Sequence, residues 1–569
     1  LNEAADVIQK LYTIAQELPP DKFEVAKKKI EAKYDEIERN LIEEFVKAQN
    51  QGNLAKMKTI ANIMTNFKGY SQCVDAFIET SQMNTLLGKD IFSAVLPLCK
   101  KNYTIISSVF PNPDQVMSKF VLNIFHLKLQ KYIQTKLADK NDIEKYLRNL
   151  FEMYTSTQKV CDELVAAGLV SADGNISTGD LRREALVNGA LAGANDGYAA
   201  LETRRLKAVL SNALNTYYNE KQHVKKQIQG GGFQELRRDF QAVIGTRANI
   251  NIAQIENYGG ETFLSEQLVQ KMLNDAKMSF LRCKTLCTTN ELPATAIALL
   301  DVLIQHLLIE HVDYALDLGL QSIPIIENKS PPQIYFFEIV DQTNKIVKMF
   351  GEHFQESVLP CLSSTSKQSE CVQKKTAVME QLENKLDAGL ERAIATIVGW
   401  VKLHLQNEQK KTDFKPEGDI DTIASSACLT VVSYLNSVMD KIYASLEGDN
   451  LSAVTLELAV RLHRVIYEHL QNFQFNSAGA MIAICDVKEY RSAVCGRGGG
   501  GRSVPAPAHA LFDTLHALCN LLLVKPENLH QVCEGETLAE LDQSILHNFI
   551  QLRSDYKSHK LSSFLKGLS

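Results

Sequence analysis

From one end of this chain to the other, apolar residues recur every third or fourth position, and alternating apolar–polar runs bounded by turns are nearly absent. Ile30, Tyr34, Ile37, Leu41 and Phe45 step in this way, while Lys28, Glu31, Asp35, Glu38 and Arg39 take the opposite face. Ile143, Leu147, Leu150, Tyr154 and Cys161 repeat the pattern, as do Val378, Leu382, Leu386, Leu390, Ile394 and Ile397. A period near 3.6 residues lines such side chains along one side of a helix, so the chain is predicted to be all-α. With 14 prolines in 569 residues, little interrupts long helices.

The breaks are equally legible. Pro19-Pro20 separates two helices, with Asp21 placed to cap the second, and Pro111 and Pro113 precede Asp114 in the same way. Gly168 to Gly179, Pro324 to Pro332 and Phe414 to Asp421 read as connectors, and Gly230 to Gly232 with Gly245 to Gly260 bracket a short segment. So long a chain exceeds one hydrophobic core. Four helical bundles are therefore expected, over 1–170, 171–290, 291–415 and 416–569, the last with a flexible glycine-rich loop at 495–508. Short connections between long helices imply antiparallel neighbours, hence bundles placed end to end in an elongated rod. No self-similar period of the solenoid kind is found, which ranks a regular α-solenoid adaptor second.

Composition excludes several classes. Hydrophobic content of 45% and charged content of 22% suit a soluble globular protein. A net charge of -6 and a pI near 6.2 give no reason to expect nucleic acid. The 12 cysteines contain no C-x-x-C pair; Cys283 and Cys287 share a helix face, and Cys161, Cys428 and Cys519 lie in apolar stripes. They read as small buried hydrophobes of the reducing cytosol. No segment is expected to span a membrane, because the best stretch, 296–309, carries Asp301, Gln305 and His306. No signal peptide is visible, and a chain beginning at Leu1 reads as the trimmed product of a longer protein.

Chemistry was sought at each suggestive cluster. His306, Glu310 and His311 carry one residue too many for an H-x-x-E-H zinc motif; at about 100° per residue, positions five apart diverge by roughly 140° on an α-helix. His463, Glu468 and His469 fail similarly, so both sets read as structural histidines. A calcium loop starting at Ser171 would need glycine at Ile176 and glutamate at Arg182. There is neither a G-x-S-x-G elbow nor an adjacent aspartate pair for magnesium. The Gly498–Gly501 run lacks the Gly-Lys-Ser/Thr of a phosphate loop. No catalytic, metal or cofactor residue is therefore assigned. Gly189, Gly193 and Gly197 fall every fourth residue beside Arg182, Arg183, Glu184 and Asp196, which suits a closely packed or fraying soluble helix rather than one in lipid.

One charge feature stands out. Arg204, Arg205, Lys207, Lys221, Lys225, Lys226, Arg237, Arg238 and Arg247 crowd 204–247 against Glu220, Glu235 and Asp239. The preferred reading is a solvated face, with Arg204 and Arg205 exposed, because the apolar anchors of an interfacial helix are not arranged there. Contact with lipid headgroups or an acidic partner through Arg204, Arg205, Lys207, Lys225, Lys226, Arg237 and Arg238 is the alternative.

Longer strings carry a family resemblance. RLHRVIYEHLQ at 461–471, AGAMIAICDVKEYR at 478–491 and LFDTLHALCNLLLVKPENLHQVC at 511–533 read as three helices. The last has its apolar stripe at Leu511, Leu515, Leu518 and Leu522 and is stopped by Pro526. With QKKTDFKPE at 409–417, LLIEHVDYALDLGLQSIP at 307–324 and GGETFLSEQL at 259–268, these strings resemble the exocyst component 5 family; the likeness is lost across 495–508. The resemblance implies a rod of consecutive helical bundles, preceded in the family by further helices that pair with neighbouring subunits. It implies a non-enzymatic, cytoplasmic subunit recruited to the plasma membrane, where the complex tethers secretory vesicles. The implied partners are the other exocyst subunits, especially component 6, and an ARF-family or Rab-linked small GTPase. A GTPase-regulating protein is the competing enzyme reading.

Overall fold

The computed structural model describes residues 2–83, 91–170, 182–194, 196–225, 258, 260–324, 330–362, 365–417, 423–496 and 505–557. Among them every regular element is helical, and a β-bridge joins Phe475 to Arg553. The chain divides into two compact units.

The first unit comprises Leu1–Arg205 and Leu281–Thr295. Helix Pro20–Asn50 packs against Asn2–Glu17, Leu54–Met64 and Tyr70–Gln82, because its stripe of Tyr34, Leu41 and Phe45 is buried. Phe110 meets Phe77 and Phe45 with centroids 5.2 and 5.8 Å apart, the tilted geometry aromatic quadrupoles favour. Asn53 and Asp142 cap Leu54–Met64 and Ile143–Ala166 by accepting from the backbone N–H of Lys56 and Lys145. Asp21 and Asp114 do not cap as expected. Pro20 and Pro113 themselves occupy the first helical positions, where a missing N–H costs nothing, so each aspartate falls inside its helix.

The glycine run splits in function. Gly189 ends helix Arg183–Ala190 against His126, whose imidazole a Cβ would overlap. Gly193 and Gly197 lie beyond that helix at φ +75° and +76°, a conformation that suits glycine. A single helix through 186–200 is therefore not formed.

The second unit comprises Leu206–Phe280 and Ala296–Ser569. Its longest helix, Thr365–Glu408, packs on Gly448–Leu470 and Ser426–Ser445. Ser477–Cys495 packs on Ala506–Leu523, burying Leu515, Leu518 and Leu522 as the stripe requires. Arg553, itself buried, donates to the carbonyls of Leu521 (2.8 Å) and Val524 (2.6 Å). It thereby satisfies acceptors at that helix's C-terminal end.

One helix bears on the expectation that no segment spans a membrane. Leu292–Ser322 is long and apolar enough to cross a bilayer by length and composition, with a mean hydropathy of 1.9. Its polar groups, however, face protein. His306, His311 and Asp313 are buried against Ser211, Tyr218 and Lys385, and half of the apolar window is enclosed. The stretch is a core helix of this unit.

Most of the 171–179 connector, the 230–257 segment and 497–504 of the glycine-rich loop lie outside the described residues.

Candidate functional sites: buried charge, a widened helix and a basic stretch

Polar residues inside a helical core mark the places where function is most to be sought, because burial costs unless partners compensate. Three such places are built here.

In the first unit, Glu202 is fully buried and Arg282 nearly so. Arg282 reaches Glu202 through both arms of its guanidinium, Nε at 2.8 Å and Nη2 at 2.6 Å. Tyr198 donates its hydroxyl to the same carboxylate at 3.2 Å. Beside this pair, Arg205 is 6% exposed and its Nε donates to Glu144. The expected exposure of Arg205 is thus overturned. Helical rotation puts Arg205 on the side of Glu202 and Leu206, both buried, while Arg204 stays outside.

In the second unit, 304–313 takes the wider turn of a π-helix. Its i→i+5 bonding overrides the 100° step assumed from sequence, so His306 and His311 fall on one side. Both face Tyr198–Glu220. His306 Nδ1–H donates to the Val302 carbonyl at 2.9 Å, which leaves Nε2 to accept from the Ser211 hydroxyl at 2.9 Å. His311 Nδ1 lies 3.2 Å from the Tyr218 hydroxyl. Burial, then the nearby Lys225 ammonium, lowers His311 to about 3, so it is neutral at physiological pH. Each ring has its own protein partner. Among the described residues no group of three or more His, Cys, Asp or Glu is placed to hold a metal ion.

Also in the second unit, the QKKTDFKPE string forms a turn that seats Ser477–Cys495. Asp413 accepts from Gln409 Nε2 at 2.8 Å and Lys410 N–H at 3.0 Å. Phe414 O accepts from Asn476 N–H, and Asn476 Oδ1 caps the helix at Gly479. A Cβ at Gly479 would overlap the Phe414 carbonyl, which explains a glycine there. Above this turn Asp486, 2% exposed, accepts from Ser425 N–H at 2.7 Å and Ser425 Oγ–H at 2.6 Å. Burial outweighs those donors and pushes its carboxyl up to about 6.

The basic residues of this stretch that are described differ in their surroundings. Arg204 and Lys207 are exposed, Arg205 is buried, and Lys221 pairs with Glu261 at 2.7 Å. Lys225 donates to the Glu310 carbonyl at 2.9 Å, and its ammonium sits 4.6 Å from the Tyr218 ring centroid. Lys226, Arg237, Arg238 and Arg247 lie outside the described residues.

A groove of about 730 Å³ runs between 331–337 and helix Ser426–Ser445. Its lining of Pro332, Leu429, Thr430, Ser433, Tyr434 and neighbours includes one charged side chain, Lys441, and no carboxylate, imidazole or thiol. It offers no acid–base pair for catalysis. The buried polar groups act as locks between helices, a signal that hydrophobic periodicity does not carry.

Among the described residues the chain is all-α, with helices locked to one another by buried polar groups. Comparison with known proteins makes this specific. Over residues 3–565 the sequence matches the family described as Exocyst complex component Sec10-like, alpha-helical bundle. It is 52% identical over 569 residues to exocyst complex component 5 of Drosophila melanogaster, covering 100% of this chain and 78% of that protein. Identity to the Homo sapiens component 5 is 41% over 566 residues, covering 99% and 78%. The chain belongs to the Sec10-like exocyst component family. Among solved structures, the SNARE Sec20 bound to the Dsl1 complex subunit Tip20 aligns with a TM-score of 0.42 and 12% identity, over 89% of this chain and 99% of that one.

Proposed function

We propose that this protein is a non-enzymatic subunit of the exocyst and helps hold secretory vesicles at the plasma membrane before fusion. The observation that carries the reading is 52% identity to a named exocyst component 5 along all 569 residues. It works by presenting binding surfaces on rigid helices. Its partners are the other exocyst subunits, component 6 foremost, with an ARF-family or Rab-linked small GTPase on the vesicle side. It is cytoplasmic and reaches the membrane through the complex. The division into bundles at 170, 290 and 415 belongs to the same proposal. So does a lipid contact by Arg204, Lys207, Lys226, Arg237 and Arg238, each near-surface charge adding about 1 kcal/mol.

The test is replacement in cells depleted of their own component 5. This chain, carried in the full-length protein, should co-purify the remaining subunits and restore secretion. Failure to co-purify any of them would overturn the assignment. Reversal of Arg204 and Lys207 that spares co-purification but lowers binding to phosphatidylserine vesicles would support the lipid contact, and unchanged binding would remove it.

A further inference from the structure

Twelve cysteines are present, and ten are buried, leaving Cys287 and Cys485 part-exposed. Cys287 is the part-exposed member of a close thiol pair: its Sγ lies 3.8 Å from buried Cys283 Sγ and 3.7 Å from Thr295 Oγ1. Cys283 lies in the last turn of helix Glu266–Leu286, and Cys287 is the first residue beyond it, its N–H donating to the Cys283 carbonyl at 3.0 Å. The outer sulfur is therefore reachable, and the inner one waits behind it. The hydrogen bond with Cys283 and the one Cys287 donates to Thr295 Oγ1 together outweigh burial and hold the Cys287 thiol below its usual range. Burial pushes Cys73, Cys99 and Cys161 up to about 12 and raises Cys485 as well. Nucleophilicity requires the thiolate, so the part-exposed member of this thiol pair is the sulfur best placed to react first.

We propose that Cys283 and Cys287 form a dithiol switch, oxidised by a hydroperoxide to a reversible disulfide that staples the exit turn of helix Glu266–Leu286. Cys287 thiolate attacks the peroxide; the S–O bond forms, the O–O bond breaks, and hydroxide leaves and takes up a proton as water. The Cys283 thiol then displaces the sulfenic oxygen from Cys287. The S–S bond forms, the S–O bond breaks, and the Cys283 proton departs in a second water. Two thiols lose two electrons and one peroxide gains them. In a regular helix, side chains four apart stand about 5–6 Å apart at Cβ, wider than a disulfide wants. Cys287 lies past the last helical residue, so the turn can tighten. The bond is strained and easily reduced, which keeps the dithiol as the resting form under cytosolic thiols. The consequence is local: Arg282, which clamps buried Glu202, immediately precedes the stapled turn.

The test uses the full chain, reduced, freed of reductant, treated with graded hydrogen peroxide and alkylated. Trypsin cuts after Lys284, so the bridge appears as a cross-linked peptide pair two hydrogens lighter than its reduced parts. It should form before any other cysteine is lost and vanish with dithiothreitol. Cys287→Ser should abolish it, while Cys283→Ser should leave a sulfenic acid at residue 287 that dimedone traps. Phenylarsine oxide, which condenses with two adjacent thiols, should bind one equivalent to the wild type and none to either variant. Earlier oxidation of Cys485 or of a buried thiol would overturn the proposal. So would unchanged alkylation of Cys283 and Cys287 after peroxide, or failure of the arsenical to bind.

Discussion

Glu202 in the first unit and Asp486 in the second are both closed off from water, yet their charges are handled in opposite ways. Glu202 meets a full guanidinium, two charge-assisted bonds and a tyrosine hydroxyl. Asp486 meets neutral donors, the amide and hydroxyl of Ser425 with the Cys428 thiol beside them. A buried ion pair is intolerant of losing one member. A buried carboxylate with neutral donors tolerates loss of its charge, and its stability term depends on pH. The Glu202 site is thus locked by charge matching and the Asp486 site by hydrogen-bond geometry that a proton can modify.

The largest effect that would sharpen this contrast is Arg282→Ala. It strands the Glu202 carboxylate and should cost about 3–5 kcal/mol, read as a drop in denaturation midpoint. Glu202→Gln combined with Arg282→Met should recover most of that loss; no recovery would show that shape, not charge, sets the lock. Leu518→Asp is the apolar counterpart in the second unit. A carboxylate there has no donor comparable to Ser425, and the loss of several kcal/mol should abolish assembly through misfolding.

Next comes the contrast between adjacent arginines. Arg205→Glu sets a buried acid against Glu144 and should destabilise by a few kcal/mol. Arg204→Glu, on the exposed side, should stay within about 0.5 kcal/mol. Equal effects in thermal melts would remove the burial argument.

The smallest effect is the most diagnostic. Asp486 has a folded pKa of about 6 against an ordinary value of 3.8. Folding therefore favours its protonated form. The stability it supplies is fully present below about 3.8 and is lost as pH rises through about 6. That difference of roughly two units corresponds to about 3 kcal/mol as an order of magnitude. Asp486→Asn keeps an acceptor for the Ser425 amide and should melt at or above the wild type at pH 7.5. The wild type should gain on the variant as pH falls from 7 to 4. Parallel pH curves for the two would show that Asp486 is not desolvated.

Much of this protein was legible in its sequence. The helical period at residues 30–45 and 143–161, the stripe at Leu515–Leu522 and the family strings depend on local spacing, and local spacing survives folding unchanged. The absence of close-set metal and nucleophile motifs was legible for the same reason. Errors arose where one turn of helix was decided by contacts from elsewhere. The widened turn at 304–313 brought His306 and His311 to one side, against an angle calculated for an ideal α-helix. Arg205 turned inward because Glu144, 61 residues away, receives its guanidinium. The 292–322 helix was expected from Asp301, Gln305 and His306 not to span a membrane, but which groups meet its polar residues, Ser211, Tyr218 and Lys385, was not legible. Sequence determined that this chain is helical, which faces are apolar and to which family it belongs, since each rests on periodicity or on long matched strings. Only the tertiary structure decided which charges are buried, which are paired and which thiols meet. Those outcomes depend on groups far apart in the chain, and burial multiplies the energetic consequence of each pairing.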